Sequence, residues 1–217
     1  MIKYLQVNNK TGRTAEVYYR EKPKTGAKCT TETYIKKTKS VLITGEAASG
    51  KSRNLHKVWL KRNAIWTKKP SVLINSNTPL SEWIDTNKDY LKISKGEKQY
   101  QTLKKLQDFC QAQKTIIFIE NAHKLTGRKL DIARAMAYKN VVYATALSEN
   151  RIPATIRQSI TANCLRLRFG TKVAFDGTQA LIIAVALLAF MFGMPEAGMV
   201  ASVFAMLKSG KLASNDK

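Results

Sequence analysis

Residues 45–52 carry the pattern G-x-x-x-x-G-K-S, which sets two glycines, a lysine and a serine at fixed spacing. In such a loop the backbone N–H groups point at phosphate oxygens, the lysine reaches the β and γ phosphates, and the hydroxyl holds Mg²⁺. The spacing therefore predicts a site for ATP and Mg²⁺. The residues predicted to contact the phosphates are Gly45, Glu46, Ala47, Ala48, Ser49, Gly50, Lys51, Ser52 and Arg53.

A site that hydrolyses a nucleotide also needs an acidic group at the end of a neighbouring strand, which positions Mg²⁺ or polarises water. Glu120 follows the apolar run at residues 116–119 and meets that description. We expect Glu120 to share the metal with Ser52; the alternative is an ordinary acid at a strand end. His123 lies three residues further on and could face either the γ-phosphate or solvent.

Apolar runs alternate with helical patterns between residues 40 and 170. Leu55, Val58 and Trp59 mark a helix directly after the glycine-rich loop. This alternation predicts an α/β fold with a parallel, doubly wound sheet. Strands are predicted at VLIT, SVLINS, TIIFIE, NVVYATA and CLRLRFG, the last near a sheet edge, and helices at residues 97–113, GRKLDIARAMAY and PATIRQSI.

The N-terminal region has a different pattern. The extended runs MIKYLQV and RTAEVYYR, joined by NNKTG, predict a β-hairpin. A polar, lysine-rich connector is expected to follow as far as Lys39.

The C-terminal region is apolar. Residues 177–195 include no charged side chain, and at about 1.5 Å per helical residue they reach across roughly 28 Å. Residues 197–207 form a shorter apolar run with alanines at four-residue intervals. These runs predict a hydrophobic helical hairpin that anchors the chain in a membrane, the alternative being a pair of soluble core helices. The flanking Lys172, Lys208 and Lys211 predict that both ends lie on the cytoplasmic side.

Residues 40–170 resemble the P-loop ATPases that have an additional strand. In that group an apolar strand ends in Asp-Glu, whereas this chain has Glu120-Asn121, so an amide replaces the water-activating Glu. Thr145 matches the polar sensor at the end of the fourth strand. The segment IPATIRQSITANCLRLR is similar to the end of the motor domain in the FtsK and HerA superfamily, which includes viral genome-packaging ATPases and zonula-occludens-toxin-like phage assembly proteins.

The resemblance also implies an arginine that reaches the γ-phosphate of a neighbouring subunit. Arg151 and Arg157 are the candidates, and plain surface charge is the alternative. One P-loop domain of this size has no obvious way to hold DNA while it resets, so we expect a homo-oligomeric ring whose subunits share sites.

The net charge of +22 indicates a polyanionic partner. Nucleic acid bound without sequence preference is the first choice, an anionic membrane surface the second, and a solvated lysine-rich surface the alternative. Cys29, Cys110 and Cys164 are odd in number and widely spaced, so we expect neither disulfides nor a zinc site. The candidate DNA contacts are Lys36, Lys37, Lys39, Lys61, Arg62, Lys104 and Lys105.

These features predict three regions: an N-terminal hairpin and connector at 1–39, a P-loop NTPase domain at 40–170, and a membrane-anchoring segment at 171–217. The leading hypothesis is a membrane-anchored ATPase that translocates DNA, as in viral genome packaging, with its ATPase domain in the cytoplasm or its anchor in a virion membrane. The alternatives are an ATP-dependent phage assembly or export factor and a slowly hydrolysing DNA-binding switch of the transposition-helper kind.

Overall fold

The computed structural model describes residues 2–8, 15–22, 31–91, 93–94 and 96–170. The chain divides into two compact units, Met1–Thr171 and Lys172–Lys217, and the described residues all belong to the first. The predicted membrane-anchoring segment, 171–217, lies outside the described residues. Within the described part, none of the helices combines the length and the apolar character that a membrane span requires.

The centre of the first unit is a five-stranded parallel sheet, as the sequence predicts. Its strands are short, and most of their residues are buried because layers cover both faces, which explains the nearly continuous apolar runs. The strands are β4 Ser40–Gly45, β5 Ser71–Asn75, β6 Ile116–Glu120, β7 Val141–Ala146 and β8 Cys164–Phe169. Their order across the sheet is β5-β6-β7-β4-β8.

In the described part of the chain, six helices connect and cover these strands. The helix predicted directly after the phosphate loop is present, and three more lie where the sequence predicts them, with ends within a few residues of the predicted ends. The bounds are α1 Lys51–Leu60, α2 Arg62–Ile65, α3 Leu80–Thr86, α4 Gln99–Ala112, α5 Gly127–Ala137 and α6 Ala154–Thr161. Short 3-10 turns occupy Lys88–Tyr90, Ala122–Lys124 and Glu149–Arg151.

Two apolar cores lie on opposite faces of the sheet. One face packs against α3, α4, α5 and α6, with Leu106, Met136 and Ile156 fully buried. The other face packs against α1 and α2 and contains Trp66, Phe118 and Tyr143, whose rings lie 5.3–5.9 Å apart between centroids. Helices on both faces make the sheet doubly wound.

The N-terminal region forms a separate antiparallel sheet of three strands, β1 Ile2–Asn8, β2 Glu16–Lys22 and β3 Thr31–Ile35. The predicted hairpin is β1 and β2. The prediction of a plain connector up to Lys39 is wrong, because β3 lies within it. Successive side chains of a strand face opposite sides, so Ile35 is buried beside Val17 while Tyr34 stays exposed.

The N-terminal sheet is tied to the parallel-sheet region through α1. The backbone N–H of Leu5 donates to Asn54 Oδ1 at 3.2 Å, and Leu5 is fully buried. Leu5 and Val17 pack in the same core as Leu55 and Val58 of α1. The N-terminal strands therefore cover the helix that follows the phosphate loop.

Candidate functional site: a phosphate loop at the carboxyl edge of the sheet

The phosphate loop joins the end of β4 to the start of α1. Gly45 has φ +149°, and a Cβ there would lie 2.2 Å from the carbonyl oxygen of Phe169, so only glycine fits. Gly50 has φ +80° and occupies the N-cap position of α1. No described side chain caps this helix, so its first N–H groups remain open toward the loop. The helix N-terminus is thus presented to an anion, as the sequence motif predicts.

Lys51 is folded back over its own loop. Its ammonium donates to the carbonyl oxygens of Gly45, at 2.7 Å, and Glu46, and to Ser49 Oγ at 3.3 Å. Burial lowers the pKa of Lys51, and the nearby Glu46 carboxylate opposes that shift. A charged group that is poorly solvated and satisfied only by neutral oxygens gains most from an arriving phosphate.

Glu120 ends β6, and its side chain is buried. Its Oε2 lies 3.2 Å from His56 Nε2. His56 is one helical turn after Ser52 on α1, so Ser52 and His56, which contacts Glu120, lie on the same side of that helix. Hydroxyl and carboxylate oxygens are the ligands that Mg²⁺ prefers, so the two side chains fit a magnesium site.

Thr145 fixes the turn that follows Glu120. It is fully buried near the end of β7, and its Oγ1 accepts the backbone N–H of Asn121 at 2.9 Å. Asn121 adopts the left-handed conformation, with φ +56° and ψ +45°, which Asn tolerates better than most residues. The predicted sensor residue therefore holds the backbone that carries the two residues in place of Asp-Glu.

An open cleft of about 440 Å³ runs over the phosphate loop. Its far wall comes from the turn after β6, through Asn121, His123 and Lys124, and from Leu147 after β7. The structure thus brings Asn121 together with the loop, and it places His123, for which the sequence left two positions open, in the same cleft. The loop residues lining the cleft are Ala47, Ala48, Ser49, Gly50, Lys51, Ser52 and Arg53.

The surroundings of His123 disfavour the charged form of its imidazole. Burial lowers the pKa of its imidazole, and the positive charges of Lys124, Lys51 and Arg151 lower it further. Its Nδ1 is buried and makes no hydrogen bond within the described residues. The three surrounding cations make the cleft attractive to a polyphosphate.

The two predicted finger arginines differ in their surroundings. Arg157 donates through Nε and Nη2 to the carbonyl oxygens of Ile152, at 3.1 and 2.7 Å, and through Nη2 to that of Asn150, at 2.7 Å. Its guanidinium therefore holds the turn that precedes α6. Arg151 is exposed on that turn and close enough to His123 to influence its pKa.

Sequence reasoning did not anticipate two residues of the site. Lys124 enters the cleft because the 3-10 turn Ala122–Lys124 folds back beside the loop, and no sequence signal marks it. His56 could have been found from its position four residues after Ser52, on the same helical face.

The strand order places the phosphate loop and Glu120 at one edge of the sheet. The strand β7 lies between β4, which leads into the phosphate loop, and β6, which ends in Glu120. This order, with Gly50 at positive φ opening α1 and the buried Thr145 near the end of β7, is the α/β arrangement of a P-loop NTPase fold.

No protein-family model and no curated protein matches the sequence. The fold is similar to that of the Aeropyrum pernix Orc1 protein in complex with DNA, with 12% identity, a TM-score of 0.48, and coverage of 81% of this chain and 56% of that one. It is also similar to Cdc6p from Pyrobaculum aerophilum, with 15% identity, a TM-score of 0.40, and coverage of 68% and 42%.

Domain III of the Thermotoga maritima replication initiation protein DnaA is a third similar structure, with 12% identity, a TM-score of 0.40, and coverage of 76% of this chain and 68% of that one. This chain spans about half the length of the first two structures. Similarity at this level carries no argument about activity, so the functional reasoning rests on the site.

Proposed function

We propose that this chain is a slow, Mg²⁺-dependent ATPase whose nucleotide state controls its binding to DNA. The observation that carries the proposal is the pairing of a complete phosphate loop with an incomplete hydrolytic pair. Lys51, Ser52 and Glu120 meet the needs of binding, whereas Asn121 stands where a water-activating carboxylate would be.

Binding of ATP exchanges one set of Lys51 partners for another. The three oxygens that now hold the ammonium belong to the loop itself, and the β and γ phosphates would replace them. Charge-assisted bonds to phosphate are roughly twice as strong as those to neutral oxygens, so the exchange favours the nucleotide. The open N–H groups of α1 add to that preference.

Mg²⁺, when bound, neutralises charge on the phosphates. The Ser52 hydroxyl and the Glu120 carboxylate would hold it. His56 contacts the same Glu120 oxygen now, so it orients the carboxylate from the α1 side.

We expect slow turnover because none of the described residues that line the cleft is an Asp or a Glu that could act as a base. Glu120 ends β6 and contacts His56, and we assign its carboxylate to the metal. A neutral amide at Asn121 can orient a water molecule but cannot take its proton.

A substitution that supplies the missing base tests this reasoning. Asn121→Glu should raise the single-turnover rate of ATP hydrolysis at least tenfold, because general-base catalysis commonly contributes about 10²–10⁴-fold. Asn121→Gln is the matched control, since it has the same length and no charge, and it should leave the rate near that of the wild type. Equal rates for the two variants would show that a missing base is not what limits hydrolysis.

The nucleotide site itself is tested by Lys51→Ala. Loss of measurable binding of a fluorescent ATP analogue is expected, with an unchanged circular dichroism spectrum. Unchanged affinity would remove the basis of the proposal.

The net positive charge of the chain supports the proposed binding to DNA. The net charge of +22 suits binding to phosphates without reading base sequence. Affinity for DNA should therefore fall steeply with salt and differ little between sequences, and an ATP-bound and an ATP-free protein should differ in affinity.

The stronger form of the proposal is a membrane-anchored ring that translocates DNA, as in viral genome packaging. Its support is the apolar sequence at 177–207 and the exposed Arg151, which is free of the internal role that Arg157 has. Mixing the Lys51→Ala and Arg151→Ala proteins should restore ATPase activity if subunits share sites. Membrane flotation of the full chain, compared with a chain truncated after residue 170, tests the anchor.

A further inference from the structure

The amino edge of the parallel sheet lies opposite the nucleotide site, and its strands begin in a consistent way. A lysine lies one or two residues before the start of each of four strands: Lys39 before β4, Lys69 before β5, Lys114 before β6 and Lys139 before β7. We call these four residues the lysine rim. Since the strands are parallel, all four lysines lie at one edge.

Hydrogen bonds join the residues next to the rim lysines across neighbouring strands. The backbone N–H of Ile116 donates to Pro70 O at 2.9 Å. That of Thr115 donates to Asn140 Oδ1 at 2.9 Å. The third link runs from the Val142 N–H to Ser40 Oγ at 3.0 Å. At about 4.8 Å between strands, the rim forms a fixed row roughly 14 Å long.

The rim carries positive charge without compensation. No Asp or Glu lies within three residues of any of the four lysines in the sequence. Among the described residues, none of the four forms an ion pair. Solvated lysine-rich faces commonly include acids, as where Lys105 of α4 pairs at 2.7 Å with Glu97, which precedes the helix. Lys36, Lys37 and Lys68 extend the same edge.

An aromatic side chain and a polar cleft adjoin the rim. Tyr138 is 58% exposed, and the Lys139 ammonium lies 5.1 Å from its ring centroid. Beside it, a cleft of about 480 Å³ opens between the rim and α6. Its lining offers the amides of Gln158 and Asn163 and the hydroxyls of Thr155 and Ser159. Such groups can hydrogen-bond base edges, and an exposed ring can stack on a base.

We infer that this edge of the sheet is the surface that binds nucleic acid, and that it takes a single-stranded segment. The lysine rim would contact phosphates, Tyr138 would stack on one base, and the adjoining cleft would receive the base edge. This assignment rests on the proposed function, and it names which of the many lysines carry it. An anionic membrane would use the row of charge but leave the amide-lined cleft without a role.

Two variants of equal charge change test the assignment in the full chain. The rim variant is Lys69→Gln, Lys114→Gln and Lys139→Gln. The control variant is Lys57→Gln, Lys61→Gln and Lys104→Gln, which removes three exposed lysines from α1, its C-terminal end and α4. Both should keep the ATP affinity of the wild type, because the phosphate loop lies at the other edge.

The measurement is the anisotropy of a fluorescent single-stranded oligonucleotide of about 20 nucleotides over a range of salt concentrations. Each lost phosphate contact lowers the slope of log K against log salt by about 0.7 for a single strand. The rim variant should therefore lose about 2 from that slope, and the control variant should lose almost nothing. Tyr138→Ser should weaken binding roughly tenfold with an unchanged slope, because stacking releases no counterions.

Equal losses in the rim and control variants would overturn the assignment, since net charge alone would then explain binding. So would a rim variant that loses binding to phosphatidylserine vesicles but keeps its affinity for the oligonucleotide. Tighter binding of a duplex, unaffected by Tyr138→Ser, would refute the single-stranded segment. Absence of any oligonucleotide binding by the wild type is a different result, because it would refute the DNA part of the proposed function itself.

Discussion

The hydrogen bond from the Asn121 N–H to Thr145 Oγ1 can be tested sharply, because its loss should lower both the stability of the fold and the rate of ATP hydrolysis. Thr145→Val keeps the shape of the side chain and removes the acceptor of the Asn121 N–H, which is 2.9 Å away. Leaving one such donor unsatisfied costs about 1–3 kcal/mol. With a urea m value of about 2 kcal/mol/M, the unfolding midpoint should fall by roughly 0.5–1.5 M.

The rate of ATP hydrolysis distinguishes the loss of this hydrogen bond from a general loss of packing. The Asn121 backbone follows Glu120 directly, so a loosened turn should move the carboxylate and lower the rate of ATP hydrolysis by about tenfold or more. Thr145→Ser is the control, because it keeps the hydroxyl and loses one buried methyl group, at a cost of about 1 kcal/mol. It should be less stable than the wild type yet hydrolyse ATP at a similar rate. If the Val and Ser variants lose turnover equally, Thr145 acts by filling space and the sensor reasoning fails.

Three further perturbations have outcomes that the structure fixes. Asn87→Leu should lower the free energy of unfolding by about 2–5 kcal/mol in a urea titration, because the fully buried Asn87 amide exchanges hydrogen bonds with both the N–H and the carbonyl of Leu73; an unchanged midpoint would contradict this. Gly45→Ala should abolish ATP binding, since its Cβ would meet Phe169 O at 2.2 Å, and retained affinity would show that the loop adapts. Burial raises the pKa of Cys110 to about 12. At pH 8 iodoacetamide should therefore alkylate Cys110 roughly 10³-fold more slowly in the folded than in the urea-unfolded chain, and comparable rates would refute that shift.

The sequence predicts the phosphate loop and the buried strands well because both are local. The motif at 45–52 is contiguous, and β6 and β7 are apolar runs long enough to be strands and too short to be typical helices. The α/β fold then follows from the alternation of elements. Glu120 was predictable for the same reason, since it directly ends such a run.

What the sequence misses depends on contacts between distant segments. α3 has only seven residues, so Leu80, Trp83 and Ile84 give a single turn of the i, i+3, i+4 pattern, and the helix is not predicted although Trp83 is almost fully buried. Arg151 and Arg157 are equivalent in sequence, and only the carbonyl oxygens around Arg157 distinguish them. The lysine rim combines residues from four separate segments, and only the strand order brings them to one edge.

The covering of β5 has a consequence for how copies of this chain can meet. Along the outer side of that edge strand, Tyr90 Oη accepts the Ser71 N–H at 3.4 Å, Asn87 pairs with Leu73, and Trp83 Nε1 donates to Asn75 O at 2.7 Å. Side chains thus take the place of a sixth strand, and the edge offers no template for an incoming backbone. Intermolecular strand addition, the common route from a parallel sheet to insoluble aggregates, is closed on this side. Any contact between copies of this chain at this edge must therefore be made by side chains.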